Sequence, residues 1–569
     1  MPSNLSLEYG PVVTAFVAAF LVAMVYVFAK GWHARSLFVK LRKENMVKCP
    51  ISTPLQQCPA DSWQPMPEHS LIFGHLLAVK KEIAKYPAGI HMTISFGKMS
   101  HQFPKQGFFY LDLWPVGVPF MIVTNPSMAI QATQESSLSI QRPIELREWF
   151  KSITGGPSLF DMSAEEWKPW RALFNPGFSA KNLITHVPNV VEETLAYRDV
   201  LAECAKNGEI VQLDDITLRF TMDLIGRAVL NTRLNAQKGW NPLADALLSQ
   251  IRWHCSNEEV NLLIRWNPMR PFVEWYNSRQ MDSYIKKEVG KRWKLHQSNS
   301  EKEFSTAVVD LAIQGYIASQ PAGSPKLQRL DKEFVTVVTR QIRLFLFAGH
   351  DVTSSSIVYC FHLLSKNPSS LQRIREEHKS VLGTDASALP TMISSRPHIL
   401  NNLPYTTAVM KEAMRLFPGA SGIRTGAPGV DLVDGKGNRY PTEGKNIWIL
   451  HQALQRNPLY WKRPDEFLPE RWLVGPDHEL YPVKGAWRPF EFGPRNCIGQ
   501  GLVMMELTVV LAIVLAEFHI VPAYEEWEEK HGVKGARTVD GERAYQIEKG
   551  GAHPADGYPC KVSFRRQTS

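Results

Sequence analysis

One loop near the end of the chain constrains the fold most. Residues 490–499 read Phe-Glu-Phe-Gly-Pro-Arg-Asn-Cys-Ile-Gly, and the apolar run behind them predicts a helix over 500–518. The N-terminus of a helix carries partial positive charge and free N–H groups, which favour a thiolate at Cys497. Arg495 adds a full positive charge two residues earlier. The loop therefore suits a deprotonated cysteine that binds a soft metal, whereas a buried structural thiol is the alternative.

This loop resembles the haem-binding loop of the cytochrome P450 family. The family pattern Phe-x-x-Gly-x-Arg-x-Cys-x-Gly is matched by Phe490, Gly493, Arg495, Cys497 and Gly499. The resemblance implies a cytochrome P450 fold, mainly α with minor β, in which Cys497 is the axial ligand of the iron of haem b. A thiolate in that position pushes electron density toward the iron and favours O–O cleavage. Phe490 is then expected to pack on the thiolate side and to limit water there.

The resemblance also supplies candidates that bind the haem propionates. Trp167 and Arg171 match the family's Trp-x-x-x-Arg pattern, and their indole N–H and guanidinium groups would donate to a propionate. Arg495 and Arg424 are further candidates on the same ground. For Arg424 alone, a solvated arginine is the alternative, because exposed arginines commonly form weak ion pairs.

A second group of charged residues is expected to be structural. Glu412 and Arg415 lie three residues apart in a predicted helix, so that they share one face. The stretch 457–472 is similar to the family's meander region and ends in Pro-Glu-Arg-Trp. The resemblance implies that Glu412, Arg415 and Arg471 form a buried charged triad behind the haem.

The long central helix carries the motif with the largest departure from the family. Asp331 is a plausible N-cap, and the helix is predicted to end near Asn367. Residues 348–353 read Ala-Gly-His-Asp-Val-Thr, and a glycine with hydroxyl side chains in mid-helix can open a groove. The resemblance makes Asp351 the acid that relays protons. The family's hydroxyl residue normally follows that acid, but Val352 stands there and cannot donate a hydrogen bond.

Three explanations for Val352 stay open. Thr353, our candidate catalytic residue, or Ser354 supplies the missing hydroxyl; the substrate supplies it; or the reaction is not an ordinary hydroxylation.

The N-terminal segment predicts a membrane anchor. Residues 11–29 contain no charge and are close to the ~20 residues that a membrane-spanning helix needs. Lysines and arginines follow the segment and none precedes it, so the positive-inside rule places residues 1–10 in the lumen and the bulk of the chain in the cytosol. A cleaved signal peptide is the alternative, but the start is not basic. A basic and proline-rich connector over 30–67, stiff and non-helical from Cys49 to Pro67, and a monooxygenase domain over 68–569 complete the predicted organisation.

Composition excludes some classes of function. The net charge is +9, yet no dense basic stripe with interleaved aromatic residues indicates nucleic-acid binding. The 7 cysteines are scattered without disulfide-like spacing, which is typical of a reducing compartment.

Aromatic and β-branched runs predict short strands over 108–113 and 119–123, and residues 434–438 predict a hairpin turn. The run 502–518 contains two glutamates and predicts a buried core helix.

We interpret the chain as a haem-dependent monooxygenase of the microsomal type found in filamentous fungi. The resemblance implies insertion of one atom of O2 into a lipophilic small molecule, in secondary metabolism, at the endoplasmic reticulum membrane. No Gly-x-Gly-x-x-Gly follows a strand, so NADPH must act through a separate reductase. A haem-thiolate isomerase that does not use O2 and a degenerate haem scaffold are the alternatives. Candidate substrate-facing stretches are 144–160, 344–347, 420–423 and 549–552.

Overall fold

The computed structural model describes residues 10–46, 65–115, 117–254, 267–298, 306–321, 327–533, 535 and 537–565. Helices dominate these residues and the strands are short, which confirms the predicted mainly α fold with minor β. The α-helices are α1 Gly10–Met46, α2 Leu76–Ile83, α3 Met92–Ser100, α4 Pro126–Ile130, α5 Ile144–Thr154, α6 Ala164–Phe174, α7 Ala180–Asn207, α8 Leu213–Leu230, α9 Pro242–His254, α10 Arg270–Gln297, α11 Val308–Ala318, α12 Lys332–Lys366, α13 Pro368–Leu382, α14 Leu389–Ser395, α15 Pro404–Leu416, α16 His451–Leu454, α17 Gln500–Glu517 and α18 Tyr524–Lys530.

The strands of the described residues form small sheets at the margins of the helical body. They are β1 Phe108–Leu111, β2 Phe120–Val123, β3 Val211–Gln212, β4 Gly422–Thr425, β5 Asp431–Val433, β6 Arg439–Pro441, β7 Asn446–Ile449, β8 Phe518–Pro522, β9 Gln546–Lys549, β10 Gly551–Pro554 and β11 Pro559–Phe564. The largest sheet has the order β1-β2-β7-β4, in which β2 and β7 are parallel and the other pairs are antiparallel. The other sheets are β3-β11-β8, β9-β10 and β5-β6. The predicted strands near 108 and 119 and the predicted turn between β5 and β6 are confirmed.

The central helix α12 runs through the middle of the core. The side chain of Asp331 accepts a hydrogen bond from the Glu333 amide at 3.3 Å, as an N-cap does, and the helix ends at Lys366. The helix continues through Gly349 without interruption. Instead, a Cβ at Gly349 would lie 2.6 Å from the Cδ1 atom of Ile225, so the glycine lets α8 pack closely against α12. The motif in the middle of α12 therefore sits in a continuous, tightly packed helix.

The first helix extends beyond the predicted membrane span. It begins at Gly10 and continues to Met46, whereas the predicted span ended at Ala29 and was followed by a connector. The basic residues after Ala29 are good helix formers, so charge alone does not end the helix. Residues 47–64, which hold most of the predicted proline-rich connector, lie outside the described residues, as do residues 1–9 of the predicted luminal segment. The division into these segments stays a prediction.

The second half of α1 is docked on the body of the protein. Arg35 forms a buried ion pair with Asp112 and donates to the carbonyl of Trp114 at 2.8 Å. Phe38 and Leu41 are buried against the β1-β2 sheet. The first half of the helix, by contrast, exposes large apolar side chains: Val13, Phe16, Val17, Phe20, Leu21, Val22, Met24, Val25 and Phe28.

Three helices in the described part of the chain are long and apolar enough to cross a membrane. The most apolar 18-residue window of the segment Val13–Leu41 has a mean hydropathy of 2.1, and none of that window is buried in the protein. In Lys332–Lys366 and Gln500–Glu517, 83% and 67% of the corresponding window are buried. The prediction that 502–518 forms a buried core helix is thus confirmed, and α1 alone among the three leaves its apolar face uncovered.

Candidate haem-thiolate site

The cysteine loop is a tight turn that ends where α17 begins. The Cys497 amide donates to the Phe490 carbonyl at 2.8 Å, and the Asn496 amide donates to the Gly493 carbonyl at 3.1 Å. Gly493 has a φ of +81° and its missing side chain makes room for the carbonyl of Thr133. Because Gly499 precedes the first residue of α17, the thiol lies at the N-terminus of that helix, as predicted.

The electrostatic environment of the thiol differs in one respect from the prediction. Burial raises the pKa of Cys497, while the backbone amides of Gly499 and Gln500 and the guanidinium of Arg171 lower it. The helix N-terminus thus acts as expected, but the positive charge comes from Arg171. Arg495 donates to backbone carbonyls instead: those of Ile140, Leu159 and Met162. Arg495 lies two residues before Cys497 in the sequence, but this closeness did not reveal that its side chain points toward these carbonyls. Cys497 is enclosed by surrounding protein atoms, which accounts for the effect of burial on its pKa, yet the residue keeps accessible surface of its own.

Helix α6 clamps the cysteine loop. A capping box between Ser163 and Glu166 fixes its start, and Trp167 and Arg171 lie on one face, four residues apart. Arg171 donates to the backbone carbonyl of Asn496 at 3.2 Å and to its side-chain oxygen at 3.1 Å. The guanidinium of Arg495 stacks 4.5 Å from the centre of the Trp167 ring. Trp167, Arg171, Arg495 and Cys497 are therefore brought together as the resemblance implied.

A cluster of buried arginines fits the two carboxylates that haem carries. Burial lowers the pKa of Arg424, Arg495 and Arg142, and repulsion from neighbouring arginines adds to the effect at each of them. The Nη2 atom of Arg424 and the Nε atom of Arg142 are buried without a hydrogen-bond partner among the described residues. Glu491 and Asp161 are the carboxylates that act on the cluster. An excess of buried positive charge with unsatisfied donors is the environment that propionates would complete.

Arg142 was not identified from the sequence. It donates to the Ile423 carbonyl at 2.8 Å and lies 5.1 Å from the centre of the Phe160 ring, so it joins the segment before α5 to β4. No motif marks this residue, because its role depends on the meeting of elements about 280 residues apart.

Behind the cysteine loop, the predicted charged triad is confirmed. Glu412, Arg415 and Arg471 have no exposed side-chain surface, and Glu412 Oε1 lies 2.8 Å from Arg415 Nη2 and 2.9 Å from Arg471 Nε. Gln455 links this triad to the loop, since its side chain donates to the Arg415 carbonyl and accepts from the Arg488 amide. The Phe490 ring is partly buried against the same core, 6.1 Å from Trp487.

The middle of α12 presents one open stripe to the site. Ala348 is exposed, and Val352 and Ser356, about one and two turns later, are half-buried, in a helix whose neighbouring residues are mostly buried. Their spacing places these positions along one side of the helix. Val352 therefore lies on the open side of the helix. Thr353 has no exposed surface, and its hydroxyl is without a hydrogen-bond partner among the described residues. That Thr353 replaces the hydroxyl stays a prediction.

Residues from three of the four predicted substrate-facing stretches lie close to α12 or within it. The Phe150 ring lies 4.6 Å from that of Phe160 and 5.8 Å from that of Phe347, which joins α5, the following loop and α12 in one aromatic group. The turn at Gly551 approaches both Val352 and the carbonyl of Gly419. The aromatic group is apolar, whereas the turn also faces the Asp351 carboxylate.

Comparison with known proteins agrees with this geometry. A sequence model of the family described as Cytochrome P450 matches residues 68–536. The chain is 39% identical over 546 residues to the cytochrome P450 monooxygenase polC of Polytolypa hystricis, covering 95% of this chain and 94% of that one. It is 31% identical to the cytochrome P450 monooxygenase acrF of Aspergillus aculeatus, covering 84% and 98% of the two chains. A crystal structure of the cytochrome P450DA haem domain superposes with a TM-score of 0.67 at 19% identity, covering 88% of this chain and 98% of that one.

The fold, the cysteine loop and these matches define an oxidoreductase of the cytochrome P450 monooxygenase class. The chain belongs to the cytochrome P450 family, and membership of that family implies haem iron as the cofactor. The predicted family, fold and enzyme class are thereby confirmed.

Proposed function

We propose that the protein is a membrane-anchored haem-thiolate monooxygenase that inserts one atom of O2 into a lipophilic small molecule in secondary metabolism. Electrons come from NADPH through a separate reductase. The observation that carries this proposal is the joining of the Cys497 loop, the Trp167–Arg171 face of α6 and a buried arginine cluster in one site. When bound, the haem supplies the activation of O2 and the oxidation of the substrate.

The residues of the chain hold and shield that group. Cys497 would supply the sulfur ligand, and Arg171 and the amides of Gly499 and Gln500 favour its thiolate form. The proposed propionate partners are Trp167, Arg171, Arg424, Arg495 and Arg142. Phe490 and Gly493 shape the thiolate side of the site. Asp351 is the proposed proton-handling group on the opposite, distal side, with Thr353 as the second candidate there.

The anchor and the location follow from the two halves of α1. Its first half exposes apolar side chains, and its second half is fixed to the body by Arg35 and Asp112. We propose that this helix spans the endoplasmic reticulum membrane once, with the segment before it in the lumen and the catalytic domain facing the cytosol. Residues 30–67 then connect the anchor with the monooxygenase domain at 68–569.

One observation favours a second candidate, a haem-thiolate isomerase that does not use O2. Val352 lies on the open stripe of α12 and offers no hydroxyl there, while Thr353 is fully buried. A rearrangement that consumes no O2 needs no proton delivery to oxygen, so the valine would then be harmless.

Metabolite comparison between the native organism and a strain lacking this gene tests both candidates. The proposal expects a compound to accumulate that is lighter than the lost product by one oxygen atom. Accumulation of an isomer of the product would instead establish the rearrangement. The same split is expected in vitro: oxygenation needs NADPH and the reductase, whereas isomerisation proceeds without either.

A further inference from the structure

A line of charged side chains connects the distal acid with the surface. Asp351 Oδ1 lies 3.2 Å from His553 Nε2, and His553 Nδ1 lies 2.9 Å from Asp214 Oδ1. The Lys549 ammonium lies 3.3 Å from Asp214 and 2.7 Å from the exposed Asp215. These residues come from α12, the β9-β10 hairpin and the first turn of α8. The acid in the middle of α12 is thus bound to two distant elements of the fold.

The inner members of this line are fully removed from water. Asp214 and His553 have no exposed side-chain surface, and Asp351 is 2% exposed. An unpaired carboxylate at such a depth would be strongly destabilising, so each carboxylate needs a cation. His553 serves both carboxylates: Nδ1 is hydrogen-bonded to Asp214, and Nε2 lies within ion-pair distance of Asp351 without an aligned hydrogen bond.

The geometry makes His553 the cation of this group. Burial alone would lower the pKa of His553, but Asp214 and then Asp351 outweigh it and raise the pKa to about 10. Asp214 is affected in the opposite sense: burial would raise its pKa, but His553 and Lys549 lower it to about 2. His553 is therefore an imidazolium, and Asp214 a carboxylate, across the neutral range.

Among the described residues, two histidines lie near this line, and Tyr197 and Tyr359 lie near Asp214 with pKa values that burial raises. Burial lowers the pKa of His91 to about 4, and burial also lowers the pKa of His350. Both are neutral at pH 7, so neither competes with His553 as a cation. Ser354 adds a hydroxyl 3.2 Å from Asp214 Oδ1.

Two glycines bring the hairpin directly over Asp351. Gly550 has a φ of +95°, and a Cβ there would lie 2.6 Å from Asp351 Oδ1, while a Cβ at Gly551 would collide with Oδ2. The Ser355 hydroxyl donates to the Ala552 carbonyl at 2.6 Å, which ties the hairpin to α12. The turn that borders the predicted substrate space is thus fastened over the carboxylate.

We propose that His553 is a positioning residue, which fastens the distal carboxylate of Asp351 to Asp214 and couples its placement to the β9-β10 hairpin. This inference rests on the proposed monooxygenase function, in which Asp351 handles protons. Because Val352 offers no hydroxyl, proton handling on this side of α12 depends on where the Asp351 carboxylate is held. His553 acts through that carboxylate and does not itself touch the reacting atoms.

The first test measures unfolding of the full-length protein as a function of pH. A histidine whose pKa is higher in the folded state stabilises fully below about pH 6.5, and this contribution declines as the pH rises toward 10. The stability difference between wild type and His553→Gln should therefore shrink between pH 6.5 and 10. His378→Gln removes another buried histidine, whose pKa burial lowers to about 4, and its difference should stay constant over that interval. A constant difference for His553→Gln as well would overturn the proposed ion pair.

The second test measures hydrogen peroxide released per NADPH consumed, with the reductase present and no organic substrate added. His553→Gln should raise this ratio toward its limit of one peroxide per NADPH, because a displaced carboxylate delivers protons less efficiently. His553→Lys keeps a cation and should restore most of the wild-type ratio, whereas a merely structural role predicts no rescue. If His553→Gln does not fold, Asp214→Asn replaces it and should raise the ratio as well. A ratio unchanged in every folded variant would overturn the positioning role.

The two tests also separate this inference from the proposed function. Wild-type protein that consumes no NADPH with the reductase would contradict the monooxygenase function, and the positioning role would fall with it. If the wild type consumes NADPH normally and the folded variants release the same peroxide per NADPH as the wild type, only the positioning role is contradicted.

Discussion

Arg171 donates two hydrogen bonds to Asn496, the residue immediately before Cys497, at 3.2 and 3.1 Å. The same guanidinium lowers the pKa of the thiol. One side chain therefore fixes the position of the cysteine loop and contributes to its charge, which makes the face of α6 part of the haem-thiolate site.

Arg171→Ala should weaken both functions of that residue. Loss of two charge-assisted hydrogen bonds is expected to cost roughly 1–3 kcal/mol and to lower the haem retained per protein. The measurement is haem content after purification, together with a urea unfolding curve. Lys168→Ala, on the exposed side of the same helix, is the matched control and should retain haem normally. Equal haem content in both variants would argue against the clamp.

Replacing Val352 tests the proton-handling side of the site. Val352→Thr supplies a hydroxyl on the open stripe of α12, so we expect less peroxide released per NADPH consumed. Thr353→Val removes a hydroxyl that has no exposed surface, and we expect little change from it. Peroxide measured under identical reductase concentrations compares the two variants. A strong increase with Thr353→Val would instead establish Thr353 as the replacement hydroxyl.

The fold could be predicted to the extent that local patterns control it. The apolar run after Cys497 gave the helix that begins at Gln500, and Asp331 marked the start of α12, because periodicity and capping act over a few residues. The extension of α1 to Met46 could not be read from the apolar run, since hydrophobicity marks a membrane span and not the end of a helix.

Long-range contacts of the site were harder to predict. The carbonyl partners of Arg495 lie more than 300 residues away, and Asp351 meets His553 only because the hairpin folds back over α12. Nothing in the local sequence of Arg142 or His553 signals these contacts, which depend on tertiary packing. The family resemblance identified Trp167, Arg171 and the charged triad as important residues, but only the structure shows which atoms they contact.

Glu412→Gln should destabilise the protein strongly. The substitution leaves the buried guanidinium groups of Arg415 and Arg471 without their carboxylate, a loss of about 3–5 kcal/mol. The unfolding free energy from urea titration measures it, with the exposed Glu376→Gln as control. A loss similar to that of the control would mean that the triad contributes little.

Stability at low pH should depend on Glu491. Burial would raise the pKa of this carboxyl, but Arg488, followed by His451 and Arg424, lowers it to about 2. A carboxyl with a lowered pKa stabilises the fold above its unfolded value of 4.5, and this contribution is lost as the pH falls toward 2. Its size is on the order of 3 kcal/mol.

Glu491→Gln should accordingly flatten the dependence of the urea midpoint on pH between 4.5 and 2. Glu135→Gln, at an exposed position, serves as the control and should follow the wild-type curve. A wild-type slope that survives in Glu491→Gln would show that other carboxyls dominate acid unfolding.

The most direct test of the haem-thiolate assignment is the difference spectrum that carbon monoxide produces with the reduced, full-length protein. The account predicts the long-wavelength Soret band that thiolate ligation gives, and its loss in Cys497→Ala. A wild-type protein with no carbon monoxide band, or a band that persists unchanged in Cys497→Ala, would contradict Cys497 as the axial ligand.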